Sequence, residues 1–276
     1  MRSLLFIPAN QPAMLQNAFL FDADALIFDL EDAVAPEEKD NARHLLHEFL
    51  QTMKKPPHVW VTVRVNGVDT EDFLRDIALL RHDSIDAFVL PKASAEAICR
   101  LRDQFDHPIK VIPIVEESYQ ILRMESIAKE EGVMALLLGG EDLARDMGAT
   151  RSKLGHEIAY ARGRVVMIAA AYHLISIDTP YTDVLDDIGF ETELEIAKSY
   201  GMKAKSAIHP RHVEGINRTF SPSVEEIRFA EHVMEALKAG KSGSFRVDGR
   251  MVDRPIVDRA KQTLERAKQY GLVKSS

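Results

Sequence analysis

A chain of 276 residues, 46% hydrophobic and 28% charged, carries enough apolar side chains for one barrel-sized core or two smaller ones. Its 35 Lys and Arg stand against 43 Asp and Glu, and the formal charge of -8 removes the long-range attraction that nucleic acid or an anionic membrane would need. With one cysteine there is no intrachain disulfide framework, and no apolar run approaches the roughly 20 residues that span a bilayer, so a cytoplasmic chain is expected. That cysteine, Cys99, lies in the helix-patterned stretch 95–101 and reads as a buried thiol rather than a nucleophile or metal ligand.

Short β-branched or leucine-rich runs recur at 3–8, 25–29, 59–65, 87–91, 111–115, 135–139, 174–178 and 205–208. Helix-periodic segments follow them at 36–49, 70–81, 94–105, 118–131, 156–172 and 183–200, the first opening on Pro36-Glu37-Glu38 as a proper first turn. Eight such units over 1–220 predict an α/β fold, a (β/α)8 TIM barrel. Periodicity alone leaves an open, doubly wound sheet as the alternative, although no Gly-x-Gly-x-x-Gly follows any run. Residues 221–276 read as a helix-hairpin-helix extension. Ser223-Val224-Glu225-Glu226 is a capping box for a helix to about Lys238, Asp248-Gly249 is a tight hairpin turn, and a last helix begins near Pro255. Lying outside the eight units, this extension has to pack on the barrel's flank, cap its mouth or reach a neighbouring subunit.

In a closed parallel barrel the active site lies at the C-terminal ends of the strands. The polar residues there are Asp29-Leu30-Glu31-Asp32, Arg64 with Asn66, Lys92, Glu116-Glu117, Gly139-Gly140-Glu141-Asp142, Asp178-Thr179 and His209-Pro210. Carboxylates ending the second, fifth, sixth and seventh runs are expected to converge on the barrel axis, an arrangement that is costly unless a cation neutralises it. Hard oxygen ligands suit Mg²⁺, with Mn²⁺ as a substitute, and Glu116 and Asp142 are the chosen ligands. The blander readings are a solvated acid at a helix start for Glu116 and a helix N-cap for Asp142. Arg64 sits in a strand buried on both faces and has to be paired, either with the acidic cluster or with a substrate carboxylate. Lys92 among carboxylates is a poor Schiff-base amine and reads as an ion-pair or phosphate contact.

These residues occur within Arg2-Ser3, Pro8-Ala9-Asn10, Phe28-Asp29-Leu30-Glu31-Asp32-Ala33-Val34 with Lys39 and Ala42-Arg43, Val63-Arg64-Val65-Asn66 and Leu90-Pro91-Lys92. They continue through Pro113-Ile114-Val115-Glu116, Gly139-Gly140-Glu141-Asp142, Ile208-His209-Pro210 and Gly249-Arg250-Met251-Val252-Asp253-Arg254-Pro255. Each motif is weak alone, but in this order and at barrel spacing they resemble the citrate lyase β-subunit branch of the HpcH/HpaI aldolase superfamily. Malyl-CoA and citramalyl-CoA lyases belong to the same superfamily, and the resemblance spans nearly the whole chain.

The resemblance implies a Mg²⁺-dependent carbon–carbon lyase. Its substrate would be a 3-hydroxy-3-carboxyacyl-CoA of the citramalyl, malyl or citryl type, cleaved by a retro-Claisen reaction to a 2-oxo acid and acetyl-CoA. It further implies that Glu116 and Asp142 hold the metal and that Arg64 binds the 2-oxo acid half, with Glu116 and Asp29 completing the candidate substrate contacts. Asp253, which the sequence alone reads as an N-cap before Pro255, becomes a proton-transfer residue presented to a neighbouring subunit of a homotrimer or a multiple of trimers. Lys39, Arg43 and Lys92 match positions near the CoA phosphates. Alanine stands at 9 and 204 where the family usually has glycine. The alternatives are a citrate lyase β-subunit whose acyl group rides on a carrier protein, and a barrel kept for assembly or regulation.

Overall fold

In the computed structural model, which describes residues 1–273, the apolar runs form eight parallel strands. They are β1 (Ser3–Pro8), β2 (Ala25–Asp29), β3 (Trp60–Arg64), β4 (Ala87–Leu90), β5 (Val111–Val115), β6 (Ala135–Leu138), β7 (Ile175–Asp178) and β8 (Ala204–Ala207). β1 pairs with β2 on one side and β8 on the other, so the sheet closes and the open-sheet alternative falls. The eight-unit expectation is met, as a (β/α)8 barrel.

Side chains alternate along a strand, so each inward row can be followed to the strand's end. Ala25 and Ile27, Ile112 and Ile114, Ala135 and Leu137, and Ile177 belong to one buried interior cluster. The next inward positions are then Asp29, Glu116, Gly139 and Thr179, and all four line one cavity at that end of the barrel. Ala204, at one of the positions where a glycine was expected, puts its methyl group into the same interior cluster.

The helices are α1 (Pro12–Gln16), α2 (Lys39–Thr52), α3 (Glu71–Leu79), α4 (Ala95–Arg102), α5 (Ser118–Ala128), α6 (Gly140–Asp146), α7 (Ala159–Ala171), α8 (Asp187–Tyr200) and α9 (Val213–Phe220). Of these, α1 and α6, with five and seven residues, are too short for a helical period to show in the sequence, and α9 has no counterpart among the helix-periodic segments. Thr70 and Ser94 cap α3 and α4 through side-chain oxygens that accept from Phe73 N and Ala97 N. Cys99 is half-buried on α4, and its thiol lies 3.5 Å from Glu130 Oε2.

Asp178 departs from the expected convergence. It is one residue out of phase with Ile177, so its side chain leaves the barrel axis and meets Arg162 of α7 at 2.8 Å and Lys205 of β8 at 2.8 Å. Lys205 Nζ also reaches Glu193 of α8 at 2.9 Å, and all four charged side chains are essentially inaccessible to solvent. Burial works against the Asp178 charge, but Lys205 and Arg162 outweigh it and hold the carboxyl below its ordinary range.

The chain divides into two compact units, one ending at Asn217 and the next starting at Arg218. The second contains α10 (Val224–Lys238), a hairpin of β9 (Phe245–Val247) and β10 (Arg250–Val252), and α11 (Arg254–Gln269). Ser223 Oγ accepts from Glu226 N while Glu226 Oε2 accepts from Ser223 N, the reciprocal cap that starts α10. Asp248 and Gly249 both take positive φ, 49° and 77°, as a two-residue turn matched to strand twist requires. Ala230, Val233, Val247, Val252 and Ala260 form this unit's core. Among the described residues no helix is long and apolar enough to cross a membrane.

Candidate active site

The cavity at the strand ends encloses about 270 Å³ and takes Asp29, Arg64, Glu116 and Asp142 into its lining. Glu116 is only 4% exposed, which rules out a solvated acid at a helix start. Its position is fixed by its surroundings. The Glu116 backbone N–H donates to Gln120 Oε1 at 2.8 Å, and Gln120 Nε2 in turn donates to Ala93 O at 3.1 Å. Glu116 Oε1 accepts the backbone N–H of Lys92 at 2.7 Å, which Lys92 presents by adopting a left-handed φ of 46°. Gly139 leaves the space the carboxylate needs, since a Cβ there would stand 2.5 Å from Glu116 Cβ and 2.8 Å from Oε2.

Asp142 lies inside the first turn of α6, whose N-cap is Gly139, so it is not a helix cap. Its Oδ1 accepts from Arg145 Nη2 at 2.7 Å, and its side chain is half-buried at the cavity wall. Burial first, and then the charges of Glu31 and Asp142, push the Glu116 carboxyl up to about 7 against the opposing Lys92 N–H and Arg64. Glu31 is likewise pushed up to about 7, by burial above all and by Asp32 and Asp29, with Arg64 opposing. Among the described residues no three His, Cys, Asp or Glu side chains form a ready metal cluster. Glu116 and Asp142 are two of the four carboxylates in the cavity lining, the others being Asp29 and Glu141.

Arg64 is committed to the acidic side of the cavity. Its Nε and Nη2 grip Asp29 at 2.7 and 2.5 Å, its Nη1 meets Glu31 Oε2 at 2.7 Å, and the guanidinium stacks 5.0 Å over the Phe6 ring. Burial opposes the Arg64 charge, yet Asp29 and then Glu31 more than offset it and hold its pKa above the ordinary value. Asp29 is 1% exposed and accepts, besides Arg64, the backbone N–H groups of Glu31 and Ala33 at 2.9 and 3.2 Å. Every lone-pair direction of Asp29 is therefore occupied.

Residues 2–210 match the family described as HpcH/HpaI aldolase/citrate lyase. The chain belongs to this family. The citrate lyase subunit beta of Leuconostoc mesenteroides subsp. cremoris is 34% identical, over 99% of this chain and 95% of the relative. The (3S)-malyl-CoA thioesterase of Cereibacter sphaeroides is 32% identical, over 100% of this chain and 97% of the relative. Among solved structures, the protein CitE of Mycobacterium tuberculosis in complex with magnesium, acetoacetate and coenzyme A superposes with a TM-score of 0.82 at 30% identity, covering 97% of this chain and 98% of that one. RipC of Yersinia pestis gives a TM-score of 0.71 at 32% identity, over 83% and 98% of the two chains.

For a member of the HpcH/HpaI family, the three residues matched to CoA phosphates stand in different places. Lys92 lines a second hollow of about 430 Å³, and its ammonium makes no ion pair among the described residues. Lys39 lines that hollow too, but its three donors go to Leu30 O, Glu31 O and Asn66 Oδ1 at 2.7, 2.7 and 2.8 Å. Arg43 is 1% exposed and bonds Asp40, Asp72 and Asp76, so it braces α2 against α3 and is buried rather than open to a phosphate. Asp253 is exposed in the second unit, where its Oδ1 accepts from Ile256 N at 3.3 Å as the N-cap of α11. Gly139 and Thr179 were quoted at strand ends but given no role, and Gln120, three residues past Glu117, was not singled out.

Proposed function

We propose that this chain cleaves a 3-hydroxy-3-carboxyacyl-CoA to a 2-oxo acid and acetyl-CoA with the help of a divalent cation. The observation that carries the proposal is a buried carboxylate, Glu116, in a small cavity whose lining also holds Asp29, Glu141 and Asp142, with Arg64 as its one cationic side chain among the described residues. A cation between Glu116 and Asp142 relieves that imbalance. Mg²⁺ is suited to such a site because it binds through one or two carboxylates and keeps its remaining positions for water and substrate. The CitE relative whose complex contains magnesium, acetoacetate and coenzyme A supports the choice.

In this reading Glu116 and Asp142 would hold the cation, which would supply Lewis-acid polarisation of the substrate's hydroxyl and carboxylate oxygens. Arg64, aimed by Asp29, holds the oxygens of the 2-oxo acid half, and Asp29 acts through Arg64 because its own oxygens are filled. The carbinol oxygen gives its proton to solvent water and becomes the new carbonyl as the bond to the methylene carbon breaks, the pair from that bond passing into the acetyl-CoA enolate. A proton returns to that carbon from Asp253, supplied by a neighbouring subunit in a homotrimer. Lys92 takes a CoA phosphate.

The test is a mass-spectrometric screen of malyl-, citramalyl- and citryl-CoA with Mg²⁺ or EDTA. The expected products are a 2-oxo acid and acetyl-CoA with Mg²⁺ alone. Thioester hydrolysis without carbon–carbon cleavage, or turnover that EDTA leaves intact, overturns the proposal. Asp142→Ala is expected to lower turnover by at least about 10²-fold while the fold survives. The relative named citrate lyase subunit beta supports a second reading, in which the acyl group rides on a carrier protein. Co-purification of such a carrier with this chain, and turnover of its acyl form over the CoA thioester, would favour that reading.

A further inference from the structure

Helix α6 carries Asp142 to the cavity wall, yet its own sequence does little to hold it there. It has seven residues, takes Gly139 as its N-cap and Gly140 as its first residue, and has no side-chain cap. Among the described residues, two side chains from outside the helix tie down its first turn. Thr179 Oγ1 accepts Gly140 N at 3.0 Å, and Arg151, on the loop that follows α6, turns back so that its Nε donates to Glu141 Oε1 at 2.9 Å. Glu141 is the residue next to Asp142, and both line the cavity.

Arg151 is itself firmly anchored. Its side chain is only 15% exposed, its Nη2 reaches Glu193 Oε1 at 3.3 Å, and its Nη1 is paired with Glu157. Glu193 belongs to the dry cluster with Arg162 and Lys205, and Glu157 also accepts from Ser152 Oγ at 2.6 Å. Gly155 closes the loop over both guanidinium groups, since a Cβ there would stand 2.5 Å from Arg162 Nη1 and 3.5 Å from Arg151 Nη1. Each nitrogen of Arg151 thus holds a different glutamate, one in α6, one in the 3-10 turn His156–Ile158 and one in α8.

We propose that Arg151 is a positioning residue for the cation site: by holding Glu141 against the buried cluster, it fixes the rotation of α6 that turns Asp142 into the cavity. The inference rests on the cation reading above and adds to it a residue that touches neither cation nor substrate. Consecutive residues on a helix point about 100° apart, so drawing Glu141 to one side sets the direction of Asp142. Charge and position here predict opposite signs. As a charge, Arg151 repels a cation in the cavity, and its loss would tighten binding. As a clasp, it keeps a ligand aimed, and its loss weakens binding.

The experiment measures Mn²⁺ affinity by electron paramagnetic resonance in the wild-type chain and in Arg151→Met, Glu141→Ala and Glu141→Gln, with circular dichroism as the check on folding. Glutamine drops the charge of Glu141 but keeps an oxygen that accepts from Arg151 Nε, whereas alanine drops both. The expected Kd for Mn²⁺ rises about tenfold or more in Arg151→Met and in Glu141→Ala and stays within about threefold of wild type in Glu141→Gln. Should Arg151→Met fail to fold because Glu157 and Glu193 lose a partner, the alanine and glutamine variants carry the test, since Glu141 is half-exposed. Equal Kd values in those two variants overturn the inference, because Glu141 would then act through its charge alone. Unchanged or tighter Mn²⁺ binding in a folded Arg151→Met also overturns it, and either result leaves the cation reading standing. If the wild-type protein binds no Mn²⁺, the cation reading and the inference fall together.

Discussion

A single glycine controls whether Glu116 can sit where it does. Gly139→Ala puts a methyl group 2.5 Å from Glu116 Cβ, and the expected result is at least a tenfold loss of Mn²⁺ affinity, read by electron paramagnetic resonance, with little change in the secondary structure seen by circular dichroism. Unaltered metal affinity would show that Glu116 can move without consequence. A second residue sets a limit in acid. His212 is 1% exposed, stacks on the Phe190 ring at 4.0 Å, and has no partner for either ring nitrogen among the described residues. Burial first, then the charges of His209, Arg211 and Lys205, lower its pKa from the ordinary 6.5, with Asp187 opposing. A lowered folded-state value means that the unfolded chain takes up the proton first. The contribution of neutral His212 is therefore complete above 6.5 and is lost as pH falls through the folded value. His212→Phe keeps the stacked ring, and its melting temperature should fall less than wild type between about pH 7.5 and 5.5. Equal falls would contradict the assignment. At this scale the sequence was more informative than motif reading made it. Counting by twos from Ile177 puts Asp178 outside the barrel and Thr179 inside it, a phase that a list of polar residues at strand ends does not contain.

Among the elements, α6 is the short helix that brings Asp142 to the cavity, and it begins on two glycines that are poor helix formers. Those glycines are there for contact, since Gly139 clears Glu116 and Gly140 clears Thr179. Local propensity therefore gave no sign of α6, whereas the longer α2, α5, α7 and α8 all stood out by their period. Behind the cavity, Lys205 ties β7, β8 and α8 together through Asp178 and Glu193. Lys205→Met leaves the buried carboxylates of Asp178 and Glu193 with Arg162 and, 3.3 Å from Glu193, Arg151, and unfolding in urea should show a loss of about 3–5 kcal/mol. A loss under about 1 kcal/mol would show that the network relaxes without cost. Lys39 and Arg43 teach the complementary lesson. Matched by motif to phosphate contacts, Lys39 is taken up by two carbonyls of the loop after β2 and by Asn66, and Arg43 is buried among neighbouring carboxylates, and a sequence does not disclose how many of a cation's donors are already spent.

For the molecule as a whole, eight apolar runs favoured a barrel but left an open sheet as the alternative, and it is the pairing of β1 with β8 that closes the ring. What a neighbouring copy contributes was not readable, because Asp253 is an ordinary N-cap within its own unit. The proposed trimer makes a specific demand. Arg64→Ala and Asp253→Ala variants, each inactive alone, should regain up to about a quarter of wild-type turnover when refolded together, because some mixed sites then hold an intact Arg64 and a neighbour's intact Asp253. No recovery from a mixture that co-assembles would place Asp253 outside the reaction. The claim beneath all of these is that one divalent cation is held by Glu116 and Asp142, and anomalous scattering from crystals grown with Mn²⁺ tests it most directly. The account predicts a single strong peak in contact with both carboxylates; a well-diffracting Mn²⁺ crystal with the peak elsewhere, or with Glu116 and Asp142 bound to separate groups and no peak between them, would contradict it.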